Sequence, residues 1–249
     1  LALKAIGKLG YQNLMPILLR NLRLAHRDHR FWAAWSAVLL GNRQAALETL
    51  TGFALAPLPL LQKHALQLIL RVADPQDFAR WTTIVAKHNH SLQSIMGGAG
   101  ACQNTLWVPW LIESMGIPEH ANLAGEAFTL LTGTDLIDAG LMRPRVIHPS
   151  ESQMINSIEM AQLLLPDVKA VQAWWSNNQN RYQQTTRYLL GREITIENCL
   201  GILKTGRQYQ RIIAALELGL LKDKFPLLET QASSFQQRSW MGGLEEQAR

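Results

Sequence analysis

The chain has 249 residues, 47% hydrophobic and 17% charged, with a formal net charge of +5 and two cysteines. That apolar content excludes a disordered chain, and no uncharged apolar run reaches the roughly 18 residues a membrane-spanning helix needs. Cys102 and Cys199 sit in no CxxC spacing, so they call for neither a disulfide framework nor a thiolate zinc site and suit a reducing cytoplasm.

A short phrase recurs along the first half: AIGKLG at Ala5–Gly10, AVLLG at Ala37–Gly41, LILRVA at Leu68–Ala73, IMGGAG at Ile95–Gly100 and FTLLTG at Phe128–Gly133. The closing small residues lie 31, 32, 27 and 33 residues apart. Periods of this size mark stacked helix pairs, in which no pair can bury its apolar face alone.

In chain order, Leu1–Lys8 reads as a helix stopped by Gly10, followed by a helix over Asn13–Leu24 with Pro16 in its first turn. The chain opens inside this helical phrase without a Met, and the expectation is that a preceding N-terminal segment belongs to the full protein. The next pair is Phe31–Leu40, stopped at Gly41-Asn42, and Gln44–Phe53. Leu60–Val72 opens a third pair, and the acidic cap and proline of Asp74-Pro75 start its partner, which runs to about Lys87. A Gly-rich helix over Ser91–Ala101, a helix over Thr105–Met115 and a helix over Pro118–Leu131 follow, the last closed by Thr132-Gly133.

The period then breaks. Thr134–Leu165 is an insertion with turn signals at Arg143-Pro144 and His148-Pro149-Ser150 and a potential helix over Gln153–Leu165. Pro166-Asp167 starts a helix ending in Trp174-Trp175, Ser176–Gln184 reads as a loop, and Ile194–Leu203 and Gln208–Leu221 form a closing pair. The fold expected is all-α: a right-handed solenoid of stacked helix pairs with a non-repeat insertion near residues 134–184. Residues 1–133 hold the repeats; residues 134–249 hold the insertion and the closing pair of the same solenoid.

Charge is segregated along this scaffold. Residues 1–87 carry eleven Lys and Arg against four acids, residues 88–142 carry five acids and no Lys or Arg, and residues 143–249 carry thirteen against ten. Such bands orient partners more than they fix a fold.

Few residue groups point to chemistry. The histidine pairs His26/His29 and His88/His90 lack the third and fourth ligands a metal needs. Cys199 has no nearby base. Glu126 and Glu217 lie inside apolar helices, where a carboxylate either acts as an acid or base with a raised pKa, turns to water, or pairs with an Arg on another element. Arg20, Arg23, Arg27, Arg30 and Arg43, with Phe31, Trp32 and Trp35 beside them, form either a nucleic-acid-binding face or a solvated basic face over aromatic core. The adjacent Trp174 and Trp175 point about 100° apart on a helix, so one can be core while the other meets a partner. No phosphate loop, nucleophile elbow or zinc spacing occurs in the sequence.

AIGKLGYQNLMPILLRNL, at the start of the chain, resembles a HEAT repeat. Val108–Gly133 with Thr134-Asp135-Leu136, AVQAWW at Ala170–Trp175, RYLLG at Arg187–Gly191 and TGRQYQRIIAALELGLL at Thr205–Leu221 resemble a biochemically uncharacterised bacterial HEAT-like family often encoded in type VI secretion gene clusters. The chain departs from that family at Arg143–Ser150, which is basic and Pro-rich rather than acid-rich. The resemblance supplies no catalytic residue, metal or cofactor. The repeat architecture and the absence of a catalytic constellation point to a cytoplasmic, non-enzymatic protein-binding scaffold, and the resemblance implies its setting, as an accessory adaptor or an immunity protein for a type VI secretion effector or spike component. The alternative is a nucleic-acid-binding protein using the basic N-terminal face. No membrane partner is expected. The candidate partner contacts are Arg27, Arg30, Glu113, Glu119, Trp174, Trp175 and Arg207.

Overall fold

The computed structural model describes residues 1–56, 58–73, 104–144, 164–221 and 226–233, together with 235, 237, 239 and 240. Among these are ten α-helices: α1 Ala2–Lys8, α2 Met15–Asn21, α3 Arg27–Leu39, α4 Ala45–Leu55, α5 Pro59–Val72, α6 Val108–Ser114, α7 Pro118–Thr132, α8 Val168–Asn178, α9 Ile196–Thr205 and α10 Gln208–Leu221. Four short strands accompany them: β1 Met142–Pro144, β2 Leu164–Pro166, β3 Tyr188–Leu189 and β4 Arg192–Glu193. The chain is therefore mostly helical, as the periodicity predicts. The helices expected over Asp74–Lys87 and Ser91–Ala101 lie outside the described residues, as does most of Gln153–Leu165.

The chain divides into two compact units, Leu1–Ser94 with Glu193–Arg249, and Ile95–Arg192. The second is an insertion into the first, and neither boundary falls at Gly133, where the repeated phrase ends.

In the first unit the repeated phrase encodes a specific helix stop. The Gly10 amide donates to Gly7 and the Tyr11 amide to Ile6, while Gly10 takes a φ of 72°. After α3 the same pattern recurs: Gly41 donates to Val38, Asn42 donates to Ala37, and Gly41 has a φ of 96°. This is the Schellman arrangement, which needs a left-handed residue that glycine adopts without strain. Ala73 follows α5 in an extended conformation instead, since a side chain disfavours the left-handed region.

α3 begins at Arg27, four residues before the apolar run, because His26 caps it by accepting the His29 amide at Nδ1. Its buried residues, Phe31, Ala33, Ala34, Trp35, Ser36, Ala37, Val38 and Leu39, surround most of the helix. A helix buried on all sides is a central one, and α3 packs against α1, α2, α4 and α5. α2 is shorter than its apolar spacing suggests, since Gln12–Leu14 forms a 3-10 turn before Pro16 enters the first α turn.

α1 approaches α3 closely at Gly7, where an added Cβ would stand 2.5 Å from Ser36 Oγ and 2.7 Å from Ser36 Cα. Ser36 Oγ in turn donates to the Leu3 carbonyl at 2.7 Å. Gly7→Ala gains up to about 1 kcal/mol of helix propensity but must push two helices apart, so a net loss of about 1–3 kcal/mol is expected in urea unfolding.

α10 closes the unit against the N-terminal helices. Arg71 of α5 donates through Nε to Glu217 Oε1 at 2.6 Å, and their side chains are 2% and 0% exposed. Gly219 faces Leu39 Cδ1, which an added Cβ would meet at 3.6 Å.

In the second unit Asp167 caps α8, accepting the Lys169 and Ala170 amides at 3.0 and 3.1 Å. β1 and β2 pair antiparallel, with Met142 opposite Pro166 and Pro144 opposite Leu164. The turn expected at Arg143-Pro144 and the helix end expected at Leu164-Leu165 are both strand. Three-residue strands are too short to show an alternating pattern, and proline is tolerated at strand ends and edges. The Ser176–Gln184 loop is in part helical, since α8 runs on to Asn178 and a 3-10 turn covers Gln179–Arg181.

The last four carbonyls of α7 are all satisfied, three of them by a distant segment. Thr129 accepts from Gly133 at 2.8 Å, Leu130 from Leu190 at 2.7 Å, and Leu131 from Gly191 at 3.0 Å. Thr132 accepts from the Tyr182 hydroxyl at 3.2 Å. This close approach needs glycine on both sides: Gly133 and Gly191 have φ of 72° and 75°, and an added Cβ on either would lie 2.5 Å from a carbonyl oxygen opposite.

Candidate binding site

Lys4 and Lys8 are four apart on α1 and so share a face. Lys8 Nζ meets Glu229 Oε2 at 2.6 Å. The Lys8 carbonyl, left over by the helix stop, accepts the Leu227 amide at 2.6 Å. Residues 226–230 thus lie as a strap over the end of α1, fastened by one backbone bond and one ion pair.

Two cavities use this strap as a wall. The larger, about 570 Å³, is lined mainly by Ala5, Leu9, Tyr11, Leu227 and Trp240 and is apolar. The smaller, about 260 Å³, is lined by Lys4, Trp32, His64, Gln67, Ile212 and Leu216 beside the strap. Lys4 Nζ stands 4.2 Å from the centroid of the Trp32 ring, and the His64 ring is 6.0 Å from the same indole. Burial and the neighbouring Lys8 both push the Lys4 ammonium below its ordinary pKa, with Glu229 opposing them. Burial, then the charges of Lys4 and Lys63, push His64 below the usual imidazole range. Glu229 is lowered chiefly by the hydrogen bond from Lys8.

The Lys8–Glu229 pair is a third to almost a half exposed, at 33% and 44%. Exposed pairs are worth about 0–1 kcal/mol. Glu229 is depressed in the folded state, so its stabilising share is present above the ordinary carboxylate range and lost as pH falls through its folded value. The protection of the Leu227 amide, its hydrogen exchange read by mass spectrometry and corrected for the intrinsic rate at each pH, is expected to fall as pH drops below the ordinary carboxylate range, about 4.3. Glu229→Gln removes that pH step.

The residues singled out in the sequence lie in different places. Arg27 and Arg30 belong to the first turn of α3 and border a third cavity of about 480 Å³ with Leu22, Glu48 and Phe53. Arg27 pairs with Asp28 at 3.2 Å, and Arg30 lies 5.8 Å from the Phe53 ring centroid. Arg207 is exposed in the same unit, where its amide donates to Gln210 Oε1 at 2.8 Å just before α10. Glu113 and Glu119 are exposed in the other unit, at the end of α6 and the start of α7. Trp174 is half-buried and Trp175 only 7% exposed, and both rings pack edge-on to Phe128 at 5.6 and 6.5 Å. Trp175 also packs against Tyr182 at 5.4 Å. Glu126 is exposed, and Glu217 is committed to Arg71. Cys199 is fully buried.

Comparison of the chain with family models, curated proteins and solved structures found no match.

Among the described residues no group of three His, Cys, Asp or Glu side chains is placed to hold a metal ion. No helix among them is long and apolar enough to cross a membrane. The cleft around Lys4 carries little signal in the sequence. The spacing of Lys4 and Lys8 shows that they share a face, but His64 is 60 residues further on and Glu229 more than 200, so only packing brings them near.

Proposed function

We propose that this chain is a non-enzymatic protein-binding scaffold, a right-handed solenoid of HEAT-like helix pairs. Its setting is the cytoplasm, as an adaptor or immunity partner of a type VI secretion effector or spike component. The observation that carries the scaffold reading is the packing of α1 on α3 and of α3 on α5, the opening helices of three successive pairs. The first two of these helices end in the same glycine stop 31 residues apart. Serial stacking of like helices is how repeat proteins hold an extended binding surface. The setting rests on the resemblance of the AWW, RYLLG and GRQYQR stretches to the HEAT-like family.

Arg27, Arg30 and Arg207 in one unit and Glu113 and Glu119 in the other are exposed or half-buried charges suited to orienting a partner. The nucleic-acid reading is less well supported. Arg20, Arg23 and Arg27 are exposed, but Phe31 and Trp35 are buried and Trp32 lies beneath Lys4, so these rings offer no stacking platform.

Co-expression with the products of adjacent genes tests the reading. A stoichiometric complex in size-exclusion chromatography with light scattering, weakened by Arg27→Glu with Arg30→Glu, is the expected result. Failure to form any such complex, together with tight and steeply salt-dependent DNA binding, replaces the scaffold with the nucleic-acid reading.

A further inference from the structure

We infer that the cavity between α1, α5 and the strap is a binding site for a carboxylate carried on a small apolar body. The walls divide the work. Trp32, Trp35, Ile212, Leu216 and Leu227 supply an apolar surface, while Lys4, Lys8, His64 and Gln67, with Glu229, Thr230 and Gln231 of the strap, supply the polar groups. This mixture, mostly apolar with a few convergent polar groups, is that of a ligand site.

The sign of the charge follows from the local balance. Lys4 and Lys8 face one carboxylate, Glu229, and that carboxylate is bonded to Lys8. Among the described residues Lys4 Nζ has no carboxylate within ion-pair distance; it rests on the Trp32 face. A half-buried ammonium over an indole, sharing with Lys8 a carboxylate that is bonded to Lys8, is completed by an anion. The volume, about 260 Å³, sets the size. It lies below the range of about 300–1,000 Å³ typical of cofactor and drug-sized ligands, so the occupant is a small organic acid or the last residue of a chain. Both present the same chemistry. The inference stands apart from the scaffold reading, since a free acid needs no protein partner.

The test uses the 249-residue chain and two probe pairs, N-acetyl-leucine with its amide, and the peptide Gly-Gly-Ala-Leu with its C-terminal amide. Binding is followed by ligand-observed NMR. The acids are expected to bind about tenfold or more tighter than the amides, as for loss of a charge-assisted hydrogen bond. Lys4→Met is expected to erase that preference and Lys4→Arg to retain it, with Lys169→Met on α8 as an unaffected control. Circular dichroism checks that each variant keeps its helical content. A peptide acid that binds tenfold tighter than N-acetyl-leucine assigns the site to chain termini, and equal binding assigns it to free acids. Equal affinity for acids and amides, no binding of either acid, or an acid preference that survives in a folded Lys4→Met overturns the inference.

Discussion

Glu217→Ala is expected to destabilise the chain by about 3–5 kcal/mol, the cost of stranding a buried charge. Arg71 would be left 2% exposed, its Nη1 still donating to the Gln67 carbonyl but its Nε without the Glu217 carboxylate. Water cannot replace the lost carboxylate cheaply there, so the penalty is that of a buried charge deprived of its opposite charge rather than the worth of one contact. Arg71→Ala strands Glu217 in the same way. The combination Arg71→Met with Glu217→Leu removes both charges and is expected to recover most of the loss, because a buried pair replaced by apolar groups is often neutral. Urea unfolding of the two singles and the double closes the cycle and gives the coupling energy directly. A single-variant cost below about 1 kcal/mol, the value of an exposed pair, contradicts the buried pairing. The effect belongs to the joining of α5 and α10, whose paired residues are 146 positions apart.

Gly191→Ala and Gly133→Ala are expected to cost about 3–5 kcal/mol each. A left-handed conformation costs a residue with a Cβ about 1–2 kcal/mol. The larger share comes from the approach itself, since the new Cβ would lie 2.5 Å from the Thr132 oxygen or the Leu190 oxygen. Relieving that overlap moves the turn away from α7 and leaves the Leu130 and Leu131 carbonyls without their donors, at about 1–3 kcal/mol for each one that stays buried. Gly140 is the natural control. It has a φ of 67° but no atom within 4 Å of an added Cβ, so Gly140→Ala carries the conformational cost alone. Urea midpoints for the three variants separate the two contributions. Near-ultraviolet circular dichroism reports whether the Trp175–Tyr182 packing loosens in the first two only.

Much of the helical framework is legible in the sequence because its signals are local. Gly10 and Gly41 stop their helices through bonds that reach back no more than five residues, and Asp167 caps α8 through the next three. The range Gln208–Leu221 is read from apolar spacing and is the range observed. The cap of α3 at His26 carries no sequence signal, since histidine is not among the preferred capping residues. β1 and β2 have no local signal, because pairing across a long connection leaves no trace in either three-residue segment.

The candidate sites show the same division. An Arg partner for Glu217 from another element is foreseeable from an acid buried in an apolar helix, but nothing near Arg71 or Glu217 names the other. RYLLG reads as a motif without a task until its Leu190 and Gly191 amides are seen capping α7. The cleft at Lys4 is not legible in the sequence, because it depends on Trp32, His64 and the strap meeting one face of α1.

By itself the sequence determined the stops at Gly10 and Gly41, the cap of α8 and the span of α10, consequences of interactions within a turn or two, and it showed how charge is banded. Only the tertiary structure decided that Glu193–Arg249 returns to complete the first unit, which charge neutralises which, and where a cavity opens. Those outcomes depend on contacts between residues tens to hundreds of positions apart. Apolar surface is non-directional, so it drives helices together without specifying their partners, and the partners emerge only when shape, volume and buried polar groups are satisfied at once.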